Sequence, residues 1–222
     1  MTRHGQSQGN VPGNGCGEND ILRREDPVLT ELGIRQARLL GERLATVDFD
    51  AIISSPLRRA VATAFEIASR QPGGTKKIEL LSDMLEVGVQ PGFTGVGFDA
   101  LRQMYPCVTR YDTEKYPGTD AYVAKSEDET EPFIRARLLM RHILERFEFD
   151  SDKKVLLVAH GTFNHRLVCA ALGMEPTRIF NFCQENTGLT KIHYFENGYV
   201  RLVCMDDLSH LYADYPETII NL

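Results

Sequence analysis

The chain has 222 residues and a formal net charge of −6, with 42% hydrophobic and 25% charged residues. This composition is that of an ordinary globular protein, and the length suits one domain with a large core. The acidic balance argues against binding to nucleic acid or to a membrane surface, and no apolar run approaches the 18 residues of a membrane span. We therefore expect neither kind of partner.

The cysteines exclude two further classes of protein. Their number is odd and none are spaced as a Cys-x-x-Cys pair: they are Cys16, Cys107, Cys169, Cys183 and Cys204. Such a set predicts neither a disulfide framework nor a zinc site. Cys169 falls in an apolar helical pattern and is expected to be inert core. Because no secretory signal pattern is present, we expect a cytoplasmic enzyme.

The first predicted elements follow an unusual start. Only Met1 and Thr2 precede Arg3 and His4, and residues 10–29 read as a loop rich in Gly, Asn and Asp. Thr30 is a good helix N-cap, and the apolar spacing after it predicts a helix from Glu31 to about Thr46.

A strand-to-helix unit is predicted next. Residues 51–54 read as a short buried strand, and Ser55 followed by Pro56 predicts a helix N-cap and first helical position. Arg58 and Arg59 then fall in the first turn, where the helix dipole disfavours cations unless an anion is bound. Residues 78–81 predict another strand.

The remaining elements complete an alternating pattern. Residues 86–131 are irregular, and about 88–131 is long enough for a small cap over a site, whose tyrosines would stack a ring or fill a core (Tyr105, Tyr111, Tyr116, Tyr122). A helix is predicted at 132–149, a strand at 154–159, a helix at 162–172 closed by Gly173, and a hairpin at 189–195 and 199–205. Strands alternating with helices indicate a mainly parallel, helix-covered sheet with an antiparallel edge.

Two His-Gly pairs stand out in this pattern. The first is preceded by arginine, in Arg3-His4-Gly5, and the second, His160-Gly161, directly follows the apolar strand 155–159. In open α/β sheets ligands bind at the carboxyl ends of strands. A cation beside histidine, with glycine allowing close approach of a ligand, suits an anion such as phosphate.

Four segments in this order resemble the histidine phosphatase superfamily, also called phosphoglycerate mutase-like. They are Arg3-His4-Gly5-Gln6-Ser7-Gln8-Gly9-Asn10, Ser54-Ser55-Pro56-Leu57-Arg58-Arg59-Ala60, Leu85-Glu86 and Ala159-His160-Gly161. Weaker matches to the family's pattern lie at residues 29–37, 185–190 and 209–211. The resemblance covers nearly the whole chain and implies a three-layer α/β/α sandwich with a mainly parallel sheet and a small cap insertion, in a single domain of residues 1–222.

This chain differs from the family pattern at the first strand. In that family a hydrophobic strand delivers the Arg-His-Gly motif to the site, but here at most Met1 and Thr2 could belong to it. Two readings stay open: a start upstream of Met1, or a fold that tolerates a short first strand at a cost in stability.

The resemblance also implies a role for each site residue. His4 is the expected nucleophile, since a neutral imidazole can attack phosphorus and become a phosphohistidine. Arg3, Arg59 and His160 are expected to hold the phosphoryl oxygens; Arg59 is preferred to Arg58 because the family's arginine lies directly before Ala.

Further ligands and the acid complete the expected site. Asn10 is an expected phosphate ligand, Ser7 a weaker one, and Gly161 could add its backbone N–H. Glu86 is the expected general acid for the leaving oxygen and then base for water, with Asp83 as a rival.

The implied function is a metal-independent phosphatase that hydrolyses phosphomonoesters. One alternative is a phosphoglycerate mutase, but the Tyr-Gly-Gly-Leu-Gln-Gly-like segment of family mutases is missing from residues 89–95, which favours hydrolysis. Another alternative is a non-catalytic phospho-ligand binding module. No cofactor is expected. The expected partner is a small phosphorylated substrate, and phosphate or sulfate could occupy the same site. The sequence does not decide whether the protein forms a homo-oligomer.

Overall fold

The computed structural model describes residues 1–11, 26–89, 93, 95–111, 130–147, 152–175 and 182–212. Their strands are β1 (Thr2–Arg3), β2 (Ala51–Ser54), β3 (Ile78–Leu80), β4 (Val108–Arg110), β5 (Val155–Ala159), β6 (Leu189–Tyr194) and β7 (Val200–Asp207). They form one sheet in the order β4-β3-β2-β5-β1-β6-β7. Neighbours from β4 to β1 pair in parallel, and the β1–β6 and β6–β7 pairs are antiparallel.

The helices of the described residues are α1 (Glu31–Arg43), α2 (Arg58–Ala68), α3 (Phe98–Met104), α4 (Glu131–Phe147), α5 (Gly161–Ala171) and α6 (Ser209–Tyr212). Thr30 caps α1 as predicted, because its Oγ1 accepts the Gly33 N–H at 3.0 Å. The prediction that Ser55 caps the next helix is wrong, since α2 begins after Leu57. Ser55 instead prolongs β2, with its N–H donated to Val158 O at 3.0 Å.

The sheet is covered on both faces, which confirms the predicted three-layer sandwich. Successive residues of a strand point to opposite faces, and the core divides accordingly. Ile52, Leu156 and Val158 pack with α1, α2 and α3. Ile53 and Leu157 pack with α4 and α5.

The central strand β1 is short, and it borders a pocket. Thr2 pairs with Val158 on one side and Leu189 on the other. Beside Met1 lies a largely apolar pocket of about 160 Å³, walled by α4, β5 and β6. The Met1 ammonium group donates to Thr190 O at 2.7 Å, and burial lowers its pKa to about 5.

Part of the segment predicted as a cap belongs to the sandwich itself. Helix α3 and strand β4 lie within residues 88–131, and β4 is the edge strand beside β3. Tyr111 is 3% exposed and Tyr105 packs on Phe65 with ring centroids 5.1 Å apart, so these two tyrosines fill the core. Residues 112–129, with Tyr116 and Tyr122, lie outside the described residues, and the cap stays a prediction.

Two general expectations can be compared with the described residues. None of their helices combines the length and hydrophobicity that a membrane-spanning segment needs. The cysteines among them, Cys107, Cys169, Cys183 and Cys204, are free thiols. Cys169 is fully buried, and burial raises the pKa of its thiol, as suits an inert core residue.

Candidate active site

The predicted site residues gather at the carboxyl edge of the sheet. His4 follows β1 and His160 follows β5, and the two backbones are joined where His4 N donates to Ala159 O at 3.1 Å. Their imidazole rings meet edge to face, with centroids 5.1 Å apart. The structure therefore brings together two histidines that are 156 positions apart in the sequence.

Hydrogen bonds fix which nitrogen of His4 carries the proton. Its Nδ1 lies 2.7 Å from Gly5 O, and a carbonyl only accepts, so Nδ1 is the protonated nitrogen. Nε2 accepts a hydrogen bond from Arg59 Nε at 3.1 Å and carries the lone pair. Burial, and then the charges of Arg59 and Arg3, hold the pKa of His4 well below its usual value. His4 is therefore a neutral imidazole with its lone pair beside two guanidinium groups.

The backbone on either side of His4 is fixed by other elements. Gly5 N donates to Thr63 Oγ1 at 3.0 Å, and Asn186 Nδ2 donates to His4 O at 2.9 Å. Gly5 also passes so close to α1 that a Cβ built on it would lie 2.4 Å from Gly33 O. The glycine after His4 is thus required by packing against a helix, in addition to any approach of a ligand.

Residues of the weaker matches to the family pattern form hydrogen bonds with the loop that carries His4. Gln36 Oε1 accepts the Gln6 N–H at 2.9 Å. Thr187 N donates to Arg3 O at 3.2 Å, and Thr187 Oγ1 lies 3.0 Å from His210 Nε2. Burial lowers the pKa of His210 to about 4, so this ring is neutral. These contacts fix the backbone on both sides of His4.

Arg3 presents an unused donor. Its Nη1 donates to Gln184 O at 2.8 Å, whereas its buried Nε has no partner among the described residues. A Cβ on Gly161 would lie 3.5 Å from that Nε, so the glycine of the second His-Gly pair borders the guanidinium. Burial lowers the pKa of Arg3, and the charges of Glu185 and Glu86 oppose that effect.

Arg59 is paired with a buried carboxylate that the sequence did not reveal. Asp26 Oδ1 lies 3.8 Å from Arg59 Nη1, and both Asp26 oxygens accept the Arg58 N–H at 3.1 Å. Asp26 is 1% exposed, and burial raises its pKa. It supplies the anion that cations in the first turn of α2 require. The only signal available was one aspartate in a loop rich in polar residues.

His160 is fully buried at the N-terminus of α5. Its Nε2 lies 2.8 Å from Ser55 Oγ, whereas its Nδ1 is buried without a partner among the described residues. Burial, and then the charges of Arg59, His4 and Arg3, hold its pKa well below the usual value. The ring is therefore neutral, with one nitrogen unused beside the two arginines.

Glu86 faces the same helix terminus. Its Oε1 accepts the Phe163 N–H at 2.9 Å and its Oε2 the Thr162 N–H at 3.3 Å, so its carboxylate caps α5. Arg135 Nη1 donates to the backbone oxygens of Asp83 at 2.6 Å and Leu85 at 2.8 Å, which fixes the loop that carries Glu86. Of the two rival acids, it is Glu86 whose carboxylate contacts the helix beginning beside His160.

The three further residues that we expect to bind phosphate differ in which of their hydrogen-bonding groups are already used. Asn10 Oδ1 accepts from Ser7 N at 3.0 Å and from Ser7 Oγ at 2.9 Å, so the Ser7 hydroxyl proton is already used. Both of these bonds use the Asn10 oxygen and neither uses its amide nitrogen. Gly161 is the first residue of α5, and its N–H has no acceptor within the helix. All three roles stay predictions.

One further cation borders the site. Arg166 lies one turn after Thr162 on α5, and helical side chains lean toward the N-terminus, which brings Arg166 toward Glu86. Its guanidinium packs 4.3 Å from the centre of the Phe133 ring, and its buried Nε has no partner within the described part of the chain. Burial lowers the pKa of Arg166, and the charge of Glu86 opposes that effect. No carboxylate of the described residues forms an ion pair with it.

Comparison with known proteins decides the family. Residues 1–207 match the family model of the histidine phosphatase superfamily (branch 1). The chain belongs to this superfamily. The match includes every residue that the sequence analysis assigned to the site.

Its relatives are mostly phosphatases. The chain is 27% identical over 203 residues to phosphoserine phosphatase 1 of Hydrogenobacter thermophilus, covering 91% of this chain and 89% of that protein. It is 26% identical over 185 residues to a phosphoglycerate mutase of Schizosaccharomyces pombe, covering 81% of each. Among solved structures, the phosphoserine phosphatase of Entamoeba histolytica in complex with 3-phosphoglyceric acid has 25% identity and a TM-score of 0.63, covering 95% and 96% of the two chains.

Proposed function

We propose that this protein is a phosphatase that hydrolyses small phosphomonoesters through a phosphohistidine at His4. The observation that supports the proposal best is the state of His4: it is neutral and held at Nδ1, with its Nε2 lone pair directed at Arg59. A nitrogen in this state is a competent nucleophile at neutral pH. Membership of the histidine phosphatase superfamily supports the same chemistry.

In the first half-reaction the P–O bond to the leaving group breaks while a bond from phosphorus to His4 Nε2 forms. Arg59 Nε, which donates to Nε2 in the ligand-free protein, turns to a phosphoryl oxygen and releases the lone pair. Arg3 Nε and His160 Nδ1, both buried and without a partner in the described ranges, hold the other oxygens. Glu86 gives its proton to the leaving oxygen, so an alcohol departs.

In the second half-reaction water replaces the alcohol. The Glu86 carboxylate takes a proton from water as the water oxygen attacks phosphorus, and the bond from phosphorus to Nε2 breaks. Inorganic phosphate is released, His4 returns to the neutral state, and Glu86 is protonated again. The positive charge that phosphoryl transfer needs comes from Arg3 and Arg59, so the reaction requires no metal ion.

The substrate we propose is a small phosphorylated carboxylic acid. Two observations support this class. Relatives of the chain are named phosphoserine phosphatases, and Arg166 is a cation that feels the charge of Glu86 and whose buried Nε has no partner among the described residues. A substrate carboxylate could pair with Arg166 while the phosphoryl group lies between the histidines. The cytoplasmic location and the cap that would close over the substrate stay predictions.

The test is phosphate release from p-nitrophenyl phosphate and from a panel of phosphorylated metabolites, phosphoserine included, with no metal added. We expect activity that His4→Ala abolishes and that the exposed control His193→Ala retains. Intramolecular transfer of phosphate between positions of a phosphoglycerate, without net release, would favour the mutase alternative. Tight phosphate binding with no turnover on the whole panel would favour a binding module.

A further inference from the structure

We propose that Ser55 is a positioning residue that sets the tautomer of His160, so that Nδ1 of that ring carries a proton for a phosphoryl oxygen. The juxtaposition that carries the proposal is a single buried contact: Ser55 Oγ lies 2.8 Å from His160 Nε2, and both residues are 0% exposed. From its sequence context Ser55 was expected only to cap a helix, but the N-cap of α2 is Leu57.

The direction assigned to this hydrogen bond gives the Ser55 hydroxyl proton an acceptor. Leu57 N donates to Ser55 Oγ at 3.4 Å and occupies one lone pair of the hydroxyl oxygen, which leaves the hydroxyl proton to be donated. The hydroxyl proton has one described acceptor within reach, which is His160 Nε2. A neutral imidazole has one protonated nitrogen. If Nε2 accepts from Ser55, the ring proton is on Nδ1.

Nδ1 is the nitrogen that a bound phosphoryl group would meet. It is buried and has no partner among the described residues, on a ring packed against His4 at a centroid distance of 5.1 Å. With a proton on Nδ1, the ring offers an N–H to a negatively charged oxygen. With the opposite tautomer, Nδ1 would turn a lone pair toward that oxygen, and the contact would be repulsive.

The connection to β2 makes the arrangement rigid. Ser55 N donates to Val158 O at 3.0 Å, two residues before His160, so the hydroxyl and the imidazole are carried by directly paired strands. A water molecule or a side chain on a loop would not fix the ring as firmly. Ser55 therefore acts on phosphate through His160 and does not touch the substrate.

The test compares Ser55→Ala with Ser54→Ala as a matched control. Ser54 is equally buried, and its Oγ donates to Ser55 O at 2.9 Å, so its loss removes one hydrogen bond without touching His160. Two-bond ¹⁵N–¹H correlation spectra of the ¹⁵N-histidine-labelled protein report the tautomer directly. The His160 signals are those that His160→Gln lacks.

We expect His160 to be protonated at Nδ1 in the wild-type protein and in Ser54→Ala, and to lose this state in Ser55→Ala. Because one hydrogen bond to a charged oxygen is lost, the affinity of Ser55→Ala for inorganic phosphate and vanadate should fall roughly 10- to 100-fold. Ser55→Thr, which keeps the hydroxyl, should restore both. Ser54→Ala should keep the wild-type affinity.

Two results would overturn the inference: protonation at Nε2 in the wild-type spectrum, or the same anion affinity in Ser55→Ala as in Ser54→Ala. If Ser55→Ala does not fold, the wild-type spectrum decides alone. The inference rests on the proposed function only for the role of the bound anion. The tautomer is read without substrate, so a wild-type protein without phosphatase activity would contradict the proposed function and leave the tautomer assignment intact.

Discussion

Replacing Glu86 by glutamine separates two roles of one carboxylate, of which the first is observed and the second is proposed. Glu86 caps α5 through Thr162 N and Phe163 N, and we propose that it is also the general acid. A helix N-cap contributes about 0.5–2 kcal/mol, and an amide oxygen can still accept one of these bonds, so Glu86→Gln should lose about 1 kcal/mol or less of unfolding free energy. Removal of a general acid costs roughly 10²–10⁴ in rate, which is about 3–5.5 kcal/mol of barrier.

The catalytic loss should depend on the leaving group. An alkoxide needs a proton to depart, whereas nitrophenolate needs little help, so kcat should fall much further for phosphoserine than for p-nitrophenyl phosphate. Urea unfolding gives the stability term. Glu79→Gln is the matched control, because it removes the carboxylate paired with Arg146 at 2.8 Å, outside the site, and should keep full activity.

Equal losses of kcat for phosphoserine and p-nitrophenyl phosphate would refute the assignment of Glu86 as the acid, and Asp83 would then be tested in the same way. A loss of activity that simply follows a large loss of stability would refute the separation of roles. In that case the carboxylate would act through the position of α5 and His160 rather than on the leaving oxygen.

Four further results are expected. Alkaline quenching during turnover should trap acid-labile phosphate on His4, and label on serine or cysteine would contradict this. Activity should survive EDTA, and a loss that a divalent ion restores would contradict the metal-free mechanism. Burial lowers the pKa of His4 and of His160, so at mildly acidic pH the unfolded chain binds protons that the native protein does not. The free energy of unfolding should therefore fall as pH drops below about 6.5, by up to ~1.4 kcal/mol per pH unit for each ring. Equal urea midpoints at pH 7.5 and pH 5 would argue against this prediction. Arg166→Met should raise KM for phosphoserine about tenfold or more and leave p-nitrophenyl phosphate nearly unchanged, while the control Arg137→Met changes neither.

Much of the architecture was accessible from local patterns. Helix capping and hydrophobic patterning are signals that depend on only a few neighbouring residues. The capping residue Thr30 and the apolar patterns of α1, β2 and β5 therefore indicated these elements nearly at their observed bounds. The start of α2 was misplaced because Ser-Pro is a good local capping signal. The pairing of Ser55 with β5 and His160 overrides that signal.

Local sequence motifs were enough to name the candidate site residues: two His-Gly pairs, two arginines and a carboxylate, in the order of one superfamily. The protonation and pairing of these groups became visible in the folded structure alone. Burial makes both histidines neutral, Gly5 O selects the tautomer of His4, and the buried Asp26 pairs with Arg59. Protonation and charge pairing depend on desolvation and on contacts between distant segments, and these exist only once the sheet has brought the carboxyl ends of β1, β2 and β5 together.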